Sequence, residues 1–266
     1  QLTPHYHYVS RPPFTEAEAV RRAIYLAGQT DTPLYIAHMT CREAIAELQK
    51  AKGTGQRVSG ETCTHYLTTT KEVLDNPDFN EAAKFVCSPA LRDREDCEAL
   101  WQALSDGLLT AVSSDHCGID VAELKQAGRN DFTQIPNGSP GAGDRLHMVW
   151  TEGVCTGKLT RQKFVDVIAT QPAKINGIYP RKGTLAVGSD ADVVIFDPNY
   201  EGTVHLADNP NGVDYNLYEG RRQSGRVETV LLRGQVVVEN AKFVGRYGQG
   251  KFIPANMSAS GYENRN

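Results

Sequence analysis

Leu34-Tyr35-Ile36-Ala37-His38 is a short apolar run that ends in an imidazole. Helix signals flank it on both sides. Before it, Thr15-x-x-Glu18 has the spacing of a capping box, in which a Thr oxygen and a Glu carboxylate satisfy free N–H groups of the first turn. Ala17, Val20, Ile24 and Ala27 then recur at helical spacing, and Gly28 ends the run. After it, Thr40-x-x-Glu43 repeats the signature, Ala44, Ile45 and Leu48 supply an apolar face, and Gly53 is the stop. The order is helix, strand, helix, with short connections.

Further along, strands are predicted over 57–63, 84–87 and 109–114, and a helix over 93–105. Strands alternating with helices of this length are βα units, which build a parallel sheet. Past residue 180 the pattern changes to short strands over 192–196, 203–206 and 227–232. The last of these pairs with 236–238 as a hairpin about Arg233-Gly234. The chain therefore divides near 180. Residues 1–180 form an α/β part, 181–254 a β segment, and 255–266, rich in Asn, Ser and Gly, read as a disordered tail.

The 266 residues carry a net charge of −4 with both signs interspersed, so neither nucleic acid nor a membrane surface is expected as partner. No apolar run approaches the ~18 residues needed to cross a bilayer. The six cysteines (41, 63, 87, 97, 117 and 155) contain no CxxC and read as reduced, intracellular thiols, which points to the cytoplasm. Gln1-Leu2-Thr3-Pro4 has neither a basic nor an apolar signal region, so it is not a signal peptide. It reads as a processed start or as a cut in a longer chain.

Two strand ends carry groups suited to chemistry. His38 closes the first apolar run, and in a parallel α/β barrel the C-terminal strand ends form the active-site rim. The plainer reading of His38 is a hydrogen-bonded structural residue. Val112-Ser113-Ser114-Asp115-His116-Cys117 repeats the geometry with a carboxylate. Asp115 as a helix N-cap is the plain alternative, but Gly118 interrupts any following helix. Imidazole and carboxylate bind Zn²⁺ at ~2.0–2.2 Å, and bound metal brings the pKa of water to ~7. His38 and Asp115 are thus candidate metal ligands. A catalytic zinc usually takes three protein ligands, so these two do not complete a site. His5 and His7 have HxH spacing, but they lie beside Pro4 and ahead of Arg11-Pro12-Pro13 and read as loop residues outside the site. His65 is a weaker candidate, and His147 and His205 have no supporting context. Two loops rich in Pro or Gly, 87–92 and 135–141, place Ser88 and Asn137 where main-chain groups can approach a planar polar ligand.

Taken together, YIAHMT, GETCTHYL, KFVCSPALR, SSDHC, DFTQIPNGSPG, QPAKINGIYPRKGTLAVGSDADVVIFDP and DYNLYEG resemble the C-terminal half of dihydropyrimidinases and D-hydantoinases, cyclic amidohydrolases of the amidohydrolase superfamily. The resemblance runs from about residue 5 to 255 with the motifs in order. It implies an α/β fold: the C-terminal part of a metal-dependent (β/α)8 barrel with two zinc ions at its mouth, followed by a small β-sandwich segment. It implies that His38 and Asp115 bind metal. It also implies that Asp115 orients the attacking hydroxide and passes its proton to the leaving ring nitrogen, while Ser88 and Asn137 hold the cyclic imide through main-chain groups. The products would be N-carbamoyl amino acids. The remaining family ligands are an HxH pair, a carbamylated Lys bridging the metals and one further His, and they match positions ahead of residue 1. A complete barrel takes ~250 residues, so the chain is expected to lack about five strands and to be inactive by itself. By resemblance the assembly is a homotetramer.

Allantoinase and dihydroorotase share that fold, but the Ile135-Pro136-Asn137-Gly138 loop argues against them. Non-catalytic adaptor relatives resemble Ser-Ala-His and Ile-Pro-Glu-Gly where this chain has Ser114-Asp115-His116 and 135–138, which favours an enzyme. Thr64-His65 replaces the more usual Pro-Gln after GETC and bears on substrate preference. Asn176 stands where an aromatic is often found.

Overall fold

The central element is β2, Val58–Cys63, in a computed structural model that describes residues 2–256. It pairs in parallel with β1, Leu34–Ile36, on one side and with β3, Ala111–Ser113, on the other. β2 is buried at nearly every position, as a parallel strand covered on both faces must be. Gly60 lies where Met39, Leu48 and Leu109 converge, and a Cβ there would meet Met39 Sδ at 2.6 Å. The close packing at this point admits no side chain.

The helices cover this sheet. α1 is His5–Val9, α2 Pro13–Gln29, α3 Arg42–Gly53, α4 Thr64–Thr68, α5 Phe79–Ala83 and α6 Arg94–Ser105. Of the apolar positions read from spacing, Ala17 and Ala27 on α2 are half-buried, while Val20 and Ile24 on α2 and Ala44, Ile45 and Leu48 on α3 are buried. They join one core with Leu67, Leu100, Trp101 and Leu109.

Four local expectations are corrected. Neither capping box forms. Pro13 presets a helical φ at the first position, so α2 starts earlier and Thr15 Oγ1 donates to the Pro12 carbonyl at 2.8 Å, while Glu18 pairs with Arg22. Thr40 is drawn elsewhere: its N–H donates to Glu16 Oε1 at 2.7 Å, its hydroxyl bonds the same carboxylate, and Cys41 becomes the N-cap of α3. Residues 84–87 are a turn rather than a strand. Their carbonyls bond loops and side chains, with Lys84 O accepting from Ser139 Oγ and Val86 O from Gly138 N. Finally, His5 and His7 lie on α1, not in a loop, because Pro4 already has helical dihedrals.

Beyond β3, α7 (Arg145–Val149) runs into a π-helical turn at Trp150–Val154, and α8 (Arg161–Val165) leads through another to α9 (Gln171–Ile175). An antiparallel sheet of β4 (Val193–Thr203), β5 (Arg222–Leu232), β6 (Gln235–Glu239) and β7 (Lys242–Phe243) follows, in sequential order. The two short strands predicted over 192–206 are one strand, β4, with irregular register at 195–196 and 197–201. The hairpin is present: Arg233 (φ 49°) and Gly234 (φ 79°) both take positive φ, as a type I′ turn requires. Thr151 ties this sheet to the first part, accepting from Ser224 N at 2.9 Å, and Trp150 stacks edge-on against Phe196. Of the tail, residues 257–266 lie outside the described residues, and Asn256 N donates to Gly177 O at 2.7 Å. All six cysteines are free thiols, and among the described residues no helix is long and apolar enough to cross a membrane.

Candidate metal centre and ligand platform

Because β1, β2 and β3 run parallel, their C-terminal ends lie along one rim of the sheet. His38, His65 and Asp115 each sit two residues past the end of one of these strands. His38 and Asp115 turn the chain there with φ of 38° and 44°. Few non-glycine residues adopt this left-handed region, and His and Asp are among those that tolerate it. Such conformations collect at functional sites.

Cys63 Sγ, a ring nitrogen of His65 and a carboxylate oxygen of Asp115 all lie within 4.8 Å of one another. His65 is buried, and its pKa falls to about 3, first from burial and then from the nearby His38. His38, the other metal ligand expected from the sequence, is not one of these three residues, though it lies near enough to His65 to act on its charge. The donors suit a borderline-soft divalent ion such as zinc. The fit has an independent sign: His65 Nε2 is buried without a hydrogen-bond partner.

Ser88 and Asn137, 49 positions apart, meet directly: Ser88 Oγ donates to Asn137 Oδ1 at 3.1 Å. Gly138 N donates to Val86 O at 3.0 Å, which locks the two loops side by side. Beneath them lies Lys125, whose Nζ donates to Ala83 O at 2.8 Å, Val86 O at 3.2 Å and Gly138 O at 2.7 Å. Burial lowers this ammonium to about 8. On the other side, His7 Nε2–H donates to Cys87 O at 2.8 Å, and burial pulls that imidazole down to about 4. A cleft of about 610 Å³ carries both His38 and Ser88 on its wall. Arg92 braces it: Nε donates to Thr40 Oγ1 at 2.9 Å and Nη2 pairs with Glu16 at 3.2 Å, linking the His38 loop to the Ser88 loop.

The sequence marks neither Lys125 nor Arg92, and it sets His7 aside as a loop residue. The HxH spacing singled out His7, yet its partner, Cys87, is 80 positions away. For Lys125 no local signal exists, since its acceptors come from three separate carbonyls.

Known sequences and structures complete the picture. The amidohydrolase family profile matches residues 26–237. The chain belongs to the amidohydrolase family. This amidohydrolase chain is 48% identical over 253 residues to a D-hydantoinase of Ralstonia pickettii, covering 95% of the chain and 55% of that protein. It is 40% identical over 250 residues to a dihydropyrimidinase of Arabidopsis thaliana, covering 94% and 47%. A dihydropyrimidinase structure from Brevibacillus agri superposes with a TM-score of 0.93 at 44% identity, over 95% of this chain and 54% of that one. The α/β amidohydrolase fold is thus shared, and the chain spans about half the length of the curated relatives it matches.

Proposed function

We propose that this chain forms part of a metal-dependent hydrolase that opens the cyclic amide of dihydropyrimidines or 5-substituted hydantoins to N-carbamoyl amino acids. The observation that carries the reading is Asp115, which stands at a strand end within 4.8 Å of His65 and Cys63, on a chain 48% identical to a D-hydantoinase. In this reading His38 and Asp115 hold zinc. A second zinc and its bridging carbamylated Lys depend on residues that match no position of this chain. Bound zinc supplies Lewis acidity and water that ionises near neutral pH. Asp115 accepts the proton of the attacking water on a carboxylate oxygen and delivers it to the leaving ring nitrogen. The side chains of Ser88 and Asn137 satisfy each other, which leaves main-chain groups of the two loops to hold the planar imide. Residues 1–180 then serve as the barrel part and 181–254 as the sandwich segment. The partner is a small cyclic imide, the assembly a homotetramer and the setting cytoplasmic.

The test is Asp115→Asn in this chain complemented with the N-terminal part of a hydantoinase it matches. Ring opening of hydantoin or dihydrouracil should slow by ~10²–10⁴-fold, the usual worth of a positioned proton carrier. A rate within about tenfold of the unsubstituted chain overturns the assignment.

A further inference from the structure

Cys63 and Ser113 are register partners across the parallel pair β2–β3. His65 and Asp115 each lie two residues further on, so they face each other beyond the ladder. A carboxylate oxygen, an imidazole nitrogen and a sulfur therefore converge within 4.8 Å. Two donors on one tetrahedral ion with bonds of ~2.0–2.3 Å stand roughly 3.3–3.8 Å apart. Closing the present spacing takes about 1 Å, within the reach of side-chain rotation at three separate positions.

His65 Nε2 is the second observation. It is buried and makes no hydrogen bond among the described residues. A buried polar atom without a partner is unfavourable, and native proteins seldom retain one without a ligand, water or ion to satisfy it. The ring is held from behind by Tyr66, whose centroid is 4.1 Å away. Cys63 is equally placed. Its sulfur lies 3.2 Å from Ser113 Oγ, and that hydroxyl donates to Glu61 Oε1 at 2.8 Å, so the thiol proton is directed at an oxygen already fixed in place.

We propose that Cys63 and His65 complete, with Asp115, a three-donor site for a thiophilic divalent cation, so that this chain brings a thiolate and an additional imidazole to its metal centre. The inference rests on Asp115 being a metal ligand, as in the function proposed above. The residue responsible is the departure noted in the sequence, where His65 stands in place of the more usual Gln after GETC. On binding, the Cys63 thiol loses its proton to solvent and the sulfur–metal bond forms, while His65 binds through a neutral ring nitrogen. Nitrogen and sulfur donors select zinc, cobalt or cadmium and discriminate against magnesium and calcium, which require oxygen.

Cobalt(II) is the probe, titrated into the 266-residue chain. The unsubstituted chain should show a thiolate-to-cobalt charge-transfer band, and competing zinc should remove it. His65→Gln should weaken cobalt binding about tenfold or more, and Cys63→Ser should abolish the band. The band on the unsubstituted chain needs no variant to fold, so cobalt binding without it overturns the proposal. So does His65→Gln binding within about threefold of the unsubstituted chain. If Asp115→Asn weakens binding while His65→Gln does not, this inference falls and the proposed function stands. If Asp115→Asn has no effect on binding, Asp115 leaves both.

Discussion

His7 is a histidine held neutral by its surroundings. It is 1% exposed, its Nε2–H is committed to the Cys87 carbonyl, and burial lowers its pKa to about 4. Unfolded, the same ring titrates near ~6.5. Between these values the unfolded chain takes up a proton that the folded chain refuses. The stability that His7 contributes is therefore expected to fall as pH drops from about 6.5 to about 4 and to level off below, by at most about 3 kcal/mol. Urea midpoints at pH 7 and pH 5 should show the loss, and His7→Gln should shrink it without removing it, because burial also lowers His65, to about 3, and His147. The Ser88–Asn137 pair leads to a second expectation. If main-chain groups bind the imide, Ser88→Ala and Asn137→Ala keep those groups and should each lower kcat/KM far less than Asp115→Ala. An equal loss at either position would hand the role to the side chain. At this scale the sequence marks residues next to punctuation: His38 and Asp115 where apolar runs stop, Ser88 and Asn137 beside Pro and Gly. It does not mark Cys63 or Lys125, and it marks His7 only by its HxH spacing, because their meaning depends on partners brought in by the fold.

Among the elements, the loop pair 84–88 and 135–139 is held by one ammonium. Lys125 is fully buried and bonded to three carbonyls. Lys125→Met keeps the volume and removes the donors, which leaves Gly138 O without its partner, while Val86 O keeps Gly138 N and Ala83 O keeps Val86 N. Stability should fall by about 1–3 kcal/mol, the cost of one orphaned buried group, read as a lower denaturant midpoint at unchanged slope. The same bonds explain why 84–87 resembles a strand and is not one: the residues are apolar enough, but their backbone groups are claimed by Lys125 and by the opposite loop. Thr40 fails as a cap for a similar reason, because buried Arg92 brings Glu16 to it. By contrast α2 and α3 were legible, since their apolar spacing decides which face is buried, and α6 and the three parallel strands were legible from the alternation of strands with helices.

At the scale of the molecule, the chain matches about half of each curated relative. Of the ligands implied by resemblance, only His38 and Asp115 have positions here. The 266-residue chain by itself is therefore expected to open no hydantoin or dihydropyrimidine. Complementation with the N-terminal part of a matching hydantoinase should restore turnover. A chain active alone would mean that other residues, His5 and His7 first, carry the site. The change of architecture after α9 was visible in the sequence as short strands with no helical period, although the length of β4 was not, because its register irregularities break the alternation that marks a strand.

The two-residue connection between β5 and β6 has a consequence in time. A type I′ turn already twisted like its strands closes in about 1–10 μs. The parallel pairs β1–β2 and β2–β3 have helices between their partners, so each must first enclose a long stretch of chain and lose its freedom. The antiparallel sheet, last in the sequence, is thus expected to be the first to take shape, and the rim bearing His38, His65 and Asp115 the last.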